Sequence, residues 1–391
     1  MRPSEAAARE AIVLLALAAF NSGISLRCVE PMLPQLASDF GTSVSAASFI
    51  VTSFALAYAA AVLLQGPLGD RFGKLRVVTI GTALAGAASL GCAAAWDVSS
   101  LAAARFLMAI FASAPMALGM AYIGDVVAME QRQATIARFV AGSIFGQTLG
   151  PLFGGVFADW AGWRSSFVAL GAVFILGAAV LFVRTRRDWP PLGPGRFSPL
   201  AIHARLLARA PVRWLLGIGI AETFCFFGAY VFLGAFLHVR FDLSLTVIGL
   251  LLAGYGIGGL MYSAMVPWLL RSLGERGLVV AGGILGFIAL LAIVLSDDWL
   301  YTVPCTISLG IAFYLVHNTV QTKATEVAPD ARASALALYA SAWAVGQALG
   351  AAAGGTAVAA IGYAPTIAAF GFGFAALGVW LRYNLWRLRP A

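Results

Sequence analysis

Residues 146–155 read GQTLGPLFGG, and two hundred positions later residues 346–355 read GQALGAAAGG. Four glycines and one glutamine keep their spacing in the two stretches. A unit of this size is much longer than the roughly 20–50 residues of a solenoid repeat. The chain is therefore expected to contain two copies of one large unit, as in proteins whose two halves move about a central site.

The composition indicates that this unit is embedded in a membrane. The chain has 391 residues, of which 61% are hydrophobic and 11% charged, whereas a soluble domain has about 25% charged residues. Apolar runs of about 20 residues, each long enough to cross a bilayer, recur throughout. Twelve spans are predicted, at residues 10–37, 44–67, 75–96, 98–124, 134–159, 164–184, 212–238, 244–270, 276–296, 299–322, 332–360 and 364–385. The first run is too long for the apolar core of a signal peptide, and we expect it to be retained.

These spans predict an all-α membrane protein with two pseudo-symmetric six-helix bundles, at residues 1–185 and 212–391. The segment between them, 186–211, is rich in proline and arginine and is predicted to be a cytoplasmic linker. Within it, Ser198 and Pro199 favour the start of a short amphipathic helix on the membrane surface.

The net charge of +8 follows from membrane topology. Most of the 25 basic residues fall in segments on the side of the two termini, and a basic excess marks the cytoplasmic side. We expect a bacterial-type inner membrane protein with both termini in the cytoplasm, in contact with lipid and without a nucleic-acid partner.

Four stretches resemble one family, the major facilitator superfamily. Residues 66–76, GPLGDRFGKLR, resemble its signature loop, and residues 146–155 resemble the fifth-span motif of its drug/proton antiporters. Residues 101–105 resemble the start of its fourth-span motif, and residues 31–34, PMLP, resemble the proline pair that ends the first span. The resemblance covers almost the whole chain and implies the major facilitator fold and secondary transport.

The signature loop supplies the predicted gating residues, which are Asp70, Arg71, Gly73, Lys74 and Asp125. The resemblance implies that Asp70 locks the halves together in the outward-facing state, with Asp125 as an ion-pair partner of Arg71. The alternative is a solvated loop that only sets topology. Arg271 takes the place of Asp70 in the second unit, so a second charge lock is not expected.

The fifth-span motif predicts close helix packing. Its residues are Gly146, Gly150, Pro151, Gly154 and Gly155. Small residues four positions apart let helix backbones approach in lipid, and a proline bends a helix. The resemblance implies a kinked contact between the halves that resists leak; the alternative is packing without a direct functional role.

Charged residues inside spans are the strongest functional candidates, because each costs at least about 2.5–3.5 kcal/mol at the centre of a helix. Glu222 lies near the middle of span seven and is aligned by the repeat with Asn21 of span one. A carboxyl group in an apolar cavity can exchange a proton near neutral pH. We expect Glu222 to couple protons or contact substrate; the alternative is a protonated or hydrogen-bonded structural acid.

Arg27 and Glu30 lie three residues apart and share a helix face. They either neutralise each other or handle substrate or protons. Arg105 of span four matches a family arginine implicated in proton transfer, although Met108 and Ala109 replace the usual polar residue and glycine. An alternative pairs Glu30 with Arg105 and leaves Arg27 for an anionic substrate.

Three further residues are candidates for a cavity. His317 lies in a polar turn of span ten, and Phe226 and Tyr230 lie in span seven, where aromatic rings suit apolar compounds. All three have structural alternatives, since such residues more often pack against neighbouring helices.

No phosphate-binding loop for ATP, metal cluster or paired nucleophile and base is found in the sequence, so we expect no cofactor, metal or enzymatic activity. We predict a monomeric secondary transporter with a central cavity lined by spans one, four, seven and ten, exporting a small organic compound in exchange for protons. The alternatives are uptake or exchange of an anionic metabolite and a non-transporting sensor. These predictions assume that water reaches the buried charges from one side at a time.

Overall fold

The computed structural model describes residues 5–189, 199–328 and 331–388, which are helical and contain no strand. The first six spans are Glu5–Arg27 with Glu30–Met32 and Leu33–Asp39, Val44–Ala47 with Phe49–Phe72, Lys74–Ala93, Val98–Ala112 with Ala114–Val126, Met129–Ala161, and Trp163–Thr185. The later helices are Ala210–Phe241, Leu245–Leu295, Thr302–Glu326, Arg332–Ile361 and Tyr363–Asn384.

Eleven stretches of the described chain are long and apolar enough to cross a membrane. The stretch Leu245–Leu295 has 51 residues and would be about 76 Å long as one helix, more than twice the bilayer core. Gly274 interrupts it with φ 62° and ψ 170°, a conformation that glycine adopts readily. The stretch therefore contains spans eight and nine, and the predicted twelve-span fold is confirmed.

Span one, predicted for residues 10–37, consists of more than one helical segment. The first segment stops at Arg27, and new helical segments begin with prolines, Pro31 and Pro34, in their first turns. Proline suits a first turn because its missing N–H would have no partner there. The break lies directly beside the buried pair Arg27 and Glu30.

The two halves, residues 5–189 and 210–388, follow the same plan. In the first half, Gly146, Gly150 and Gly154 of span five lie against span one, where an added Cβ would meet the backbone of Phe20, Ile24 and Cys28. In the second half, the corresponding glycines of span eleven meet residues 220, 224 and 228 of span seven. Spans one and seven therefore correspond at an offset of 200.

This register corrects one prediction. At an offset of 200, Glu222 corresponds to Ser22 and not to Asn21. In the loops the offset between the halves is 201 and not 200, since the positive-φ positions Gly41 and Asp242 are 201 residues apart. The predicted alignment applied the loop offset to the middle of a span, where it is wrong by one residue.

The helices alternate between two ends of the bundle. At the terminal end, Arg184 of span six pairs with Glu10 of span one at 3.3 Å. At the opposite end, called the far end here, Trp163 Nε1 donates to Asp39 Oδ2 at 2.8 Å. Between the halves a short helix runs from Pro199 to Leu207, as predicted, while residues 190–198, including the predicted cap Ser198, lie outside the described residues.

Candidate functional site

Glu222 is the centre of a buried polar network in the second half. His317 Nδ1 lies 2.5 Å from Glu222 Oε1, and the Tyr339 hydroxyl donates to the same oxygen at 3.1 Å. Tyr339 also lies 3.2 Å from His317 Nδ1. The three side chains, called the Glu222 network here, join spans seven, ten and eleven.

The network is held in place by ring packing and is only partly satisfied. The Phe313 ring stacks on His317 with centroids 4.9 Å apart. Glu222 Oε2 is buried and has no hydrogen-bond partner among the described residues. A buried polar atom without a partner is costly, so this oxygen is placed where a proton or a ligand group would be stabilised.

Tyr339 was not predicted from the sequence, although the repeat contains a signal for it. At the offset of 200 fixed by the glycine motif, Tyr339 corresponds to Phe139. The second half therefore has a buried hydroxyl that the first half lacks at this position, and a buried tyrosine hydroxyl usually has a polar partner. A comparison of the two copies would have identified it beside Glu222.

Arg27 and Glu30 form an ion pair with Arg27 Nη1 2.7 Å from Glu30 Oε1. The Arg27 guanidinium also reaches across to the second half, where its carbon lies 4.2 Å from the centroid of the Phe227 ring. The centroids of three more rings lie slightly further from this carbon, those of Tyr230 and Tyr255 at 6.0 Å and that of Trp343 at 5.9 Å. Cations are attracted to the faces of aromatic rings, so this contact ties the halves together.

One alternative from the sequence pairs Arg105 with Glu30, but the structure does not contain this pair. Its Nη1 donates to the carbonyl oxygen of Ser25 at 2.7 Å, and its guanidinium lies 4.0 Å from the Phe54 ring centroid. Glu30 is already paired with Arg27. Arg105 thus links spans one, two and four within the first half.

Phe226 and Tyr230 are buried in the aromatic core of the second half. The Phe226 ring stacks on Tyr230 at 5.6 Å and packs against Phe313 at 4.7 Å. The Tyr230 hydroxyl donates to the Leu252 carbonyl at 3.0 Å. In this conformation the two residues form core contacts and not the lining of an open cavity.

Water does not reach the buried charges in this conformation. The exposed fractions are 2% for Arg27 and 1% for Glu30 and Arg105, and Glu222 is fully buried. The expected open path to them is absent here. Within the Glu222 network, His317 has the highest exposure, at 9%. Water can therefore reach Glu222 only past His317 or after a movement of the helices.

Two cavities lie away from these charges. One of about 260 Å³ is bordered by spans two, three and four, with Gln65 among its lining residues. The other, of about 410 Å³, is bordered by spans one, five and six, and Asn21 lines it. Asn21 therefore faces an apolar groove of the first half and is not joined to the Glu222 network.

The signature loop is arranged differently from the predicted pair of Arg71 and Asp125. Lys74 Nζ lies 2.5 Å from Asp125 Oδ2 and 3.6 Å from Asp70 Oδ1, while Arg71 lies over the ring of Phe72. Lys74 follows Gly73, whose φ of 89° makes the tight turn, and this turn brings it to Asp125. The Asp70 side chain remains 75% exposed.

The second half has an ion-pair cluster of its own at the same end, although Arg271 stands where the first half has Asp70. Lys323 of span ten binds Glu275 at 2.8 Å and Glu326 at 3.1 Å. Glu275 corresponds to Lys74 at the loop offset of 201. The charge at this loop position is therefore positive in the first half and negative in the second. A search for a second aspartate could not find this ion pair.

The fifth span has two packing faces. Gly146, Gly150 and Gly154 face span one, whereas Gly155 faces the Leu245 carbonyl of span eight in the other half. Gly249 of span eight in turn lies against the backbone of Pro151 and Leu152. The motif is thus in contact with both halves at the far end.

Two bundles of six apolar helices, with a buried ion pair in contact with both bundles and a buried acid in the second, define a polytopic membrane transporter. The chain belongs to the Major Facilitator Superfamily, whose family model matches residues 15–351.

Curated relatives are similar over part of the chain. The efflux pump radE of Floropilus chiversii is 29% identical over 175 residues, covering 44% of this chain and 32% of radE. Citrate exporter 1 of Aspergillus niger is 31% identical over 196 residues, covering 49% of this chain and 37% of the exporter. The chain thus spans about a third of the length of these relatives.

The fold also matches a solved structure, a bacterial homolog of the human lysosomal transporter Spinster in an inward-facing and unoccupied conformation. The two structures superpose with a TM-score of 0.77 over 100% of both chains at 18% sequence identity. At this identity the match supports the fold alone.

Proposed function

We propose that the protein exports a small organic compound in exchange for protons by alternating access. The observation that carries this proposal is the Glu222 network, because a carboxyl group, an imidazole and a phenol share one buried oxygen at the middle of a span. Buried polar atoms usually have a hydrogen-bond partner, whereas Glu222 Oε2, like Glu30 Oε2, has none among the described residues.

Protons would enter and leave through His317. It is the more exposed member of the pair with Glu222, at 9% against 0%. One proton moving inward across 100 mV yields about 2.3 kcal/mol, which sustains roughly a fifty-fold gradient of a neutral substrate. Arg27 and Glu30 would then move out of the aromatic rings of the second half when the far end opens.

Exchange or export of an anionic metabolite is a second candidate. It is favoured by one observation, namely that Arg27 Nε, Arg27 Nη2 and Arg105 Nε are buried without hydrogen-bond partners among the described residues. The similarity to a citrate exporter points the same way. The ion pair with Glu30 counts against it, because that carboxylate already neutralises Arg27.

The test is transport by the purified full-length protein in proteoliposomes that contain a pH-sensitive dye. A pH gradient is imposed, and ethidium, tetraphenylphosphonium and citrate are added separately as probes. Proton movement coupled to either cation supports the leading proposal, and movement coupled to citrate alone supports the second. Substrate movement without proton movement, in wild-type protein, would overturn proton coupling. We further propose that both termini face the cytoplasm.

A further inference from the structure

Asp159, at the far end of span five, forms a contact between the halves that the sequence patterns did not indicate. Its Oδ1 accepts a hydrogen bond from the backbone N–H of Leu245 at 3.2 Å, and its Oδ2 accepts one from Thr246 at 2.6 Å. These are the first two residues of the helix that forms span eight. Ser244, its own cap, accepts only from the next N–H, that of Val247, at 3.3 Å.

The first N–H groups of span eight therefore donate to acceptors in both halves: two donate to Asp159 of the first half and the third to Ser244 of the second half. The first N–H groups of a helix have no partner inside it, and a carboxylate there also interacts favourably with the helix dipole. Asp159 supplies both effects only while the far end is closed. When the halves part, the two N–H groups and the carboxylate return to water.

Close packing beside Asp159 fixes this geometry. Gly155, one turn earlier in span five, lies directly against the Leu245 carbonyl, and an added Cβ would collide with it. The corresponding residue of the second half is Ala359, so that half has no equivalent carboxylate. The contact is a single, one-sided feature of this chain.

We propose that Asp159 is a latch that holds the far end closed by capping span eight of the opposite half. Its loss shifts the conformational equilibrium towards molecules open at the far end. The inference requires two states of the far end and is independent of the substrate and of proton coupling.

The experiment measures the distance between the halves directly. The four native cysteines are replaced by alanine, and spin labels are attached at Ala46→Cys and Leu300→Cys, two exposed positions near the far end of the first and second halves. Full-length protein in lipid nanodiscs is examined by double electron–electron resonance. Asp159→Asn removes the negative charge at the start of span eight and leaves one acceptor oxygen for two N–H groups. Such a loss is worth about a factor of five in equilibrium, so the long-distance population should increase about five-fold.

The matched control is Asp97→Asn. Asp97 caps span four at the same end, with its side chain accepting from Ser100 N–H at 2.7 Å, but within its own half. It should leave the distance distribution unchanged. Equal opening by both variants would show a general loss of helix ends and overturn the proposal, as would a distribution for Asp159→Asn that matches wild type.

A second variant guards against a folding artefact. Leu245→Pro removes one of the two N–H donors at the first helical position, where proline is tolerated, and Ser244 already has the extended ψ of 155° that a residue before proline needs. Combined with Asp159→Asn, it should open the far end by less than the product of the two single effects. A fully multiplicative result would contradict a direct contact.

Discussion

The guanidinium carbon of Arg27 lies 4.2 Å from the ring centroid of Phe227, and the two residues occupy equivalent positions of the two halves, 200 residues apart. Equivalent residues of a two-fold repeat touch only where they lie close to the axis that relates the halves. The contact therefore marks this axis, where a cation from one half meets an aromatic face from the other. Separation of the halves at the far end has to break it.

Replacement of Arg27 by methionine should destabilise the protein strongly. The change leaves the Glu30 carboxylate buried without its partner, and breaking a buried ion pair in this way costs about 3–5 kcal/mol. The double variant Arg27→Met/Glu30→Gln removes both charges and should recover a large part of the loss. Thermal unfolding of each variant in the same detergent measures the difference; a double variant less stable than Arg27→Met would contradict this account.

Glu222→Gln should abolish proton-driven accumulation while exchange of substrate across the membrane continues. The amide keeps the size of the side chain but has no carboxylate to take up a proton. Accumulation and exchange are measured separately in proteoliposomes with the probe that the wild-type protein transports. Normal accumulation would remove Glu222 from proton coupling.

Tyr339→Phe should reduce proton-driven accumulation about five-fold, because Glu222 and His317 lose the hydroxyl that positions them, while stability falls by only about 1 kcal/mol. The control is Tyr230→Phe, the same change in a tyrosine of the same half whose hydroxyl binds a backbone carbonyl. The ratio of accumulation to exchange is compared for the two variants. Equal ratios would leave Tyr339 with a structural role only.

Gln347→Met should raise stability and lower transport. Both polar atoms of the Gln347 side chain are buried without a partner among the described residues, so an apolar side chain of similar size removes a desolvation cost of about 1–3 kcal/mol. Natural proteins keep such groups where function needs them. A higher unfolding temperature with unchanged transport would show that the glutamine has no such role.

Gly146→Ala should destabilise the first half, because the added Cβ would meet the backbone of Phe20 in span one. Gly66→Ala is the control: it also lies in a helix, but its Cβ would have no neighbour within 4 Å. The expected loss for Gly146→Ala is about 1–3 kcal/mol, read as a lower unfolding temperature. Equal effects of the two substitutions would contradict close packing at Gly146.

The fold could be predicted because it depends on periodic features. Span length follows from hydrophobicity, and the glycines of residues 146–155 and 346–355 predict close helix packing, which the structure contains. The contacts of long side chains could not be predicted in the same way. Lys74 and Arg71 are both basic residues of the signature loop, and only the structure shows that Lys74, directly after the turn at Gly73, reaches Asp125.

The candidate site was predicted residue by residue and assembled only by the structure. Glu222 and His317 were each identified because a polar group in a span is costly, but 95 positions separate them in the chain and no local pattern links them. Arg105 was assigned a carboxylate partner on charge alone. In the structure Arg105 instead contacts a backbone carbonyl and the Phe54 ring. Neither group is charged, so a search for opposite charges in the sequence could not find them.

The pairs Ser22 with Glu222 and Phe139 with Tyr339 show that the two copies differ at the positions of the Glu222 network. A chimera built from two first halves would keep the glycine contacts and could still assemble twelve spans. At the positions that correspond to Glu222 and Tyr339 it would carry serine and phenylalanine in both halves, and therefore no acid. Under the proposed mechanism, such a chimera would rock between two openings without drawing energy from a proton gradient.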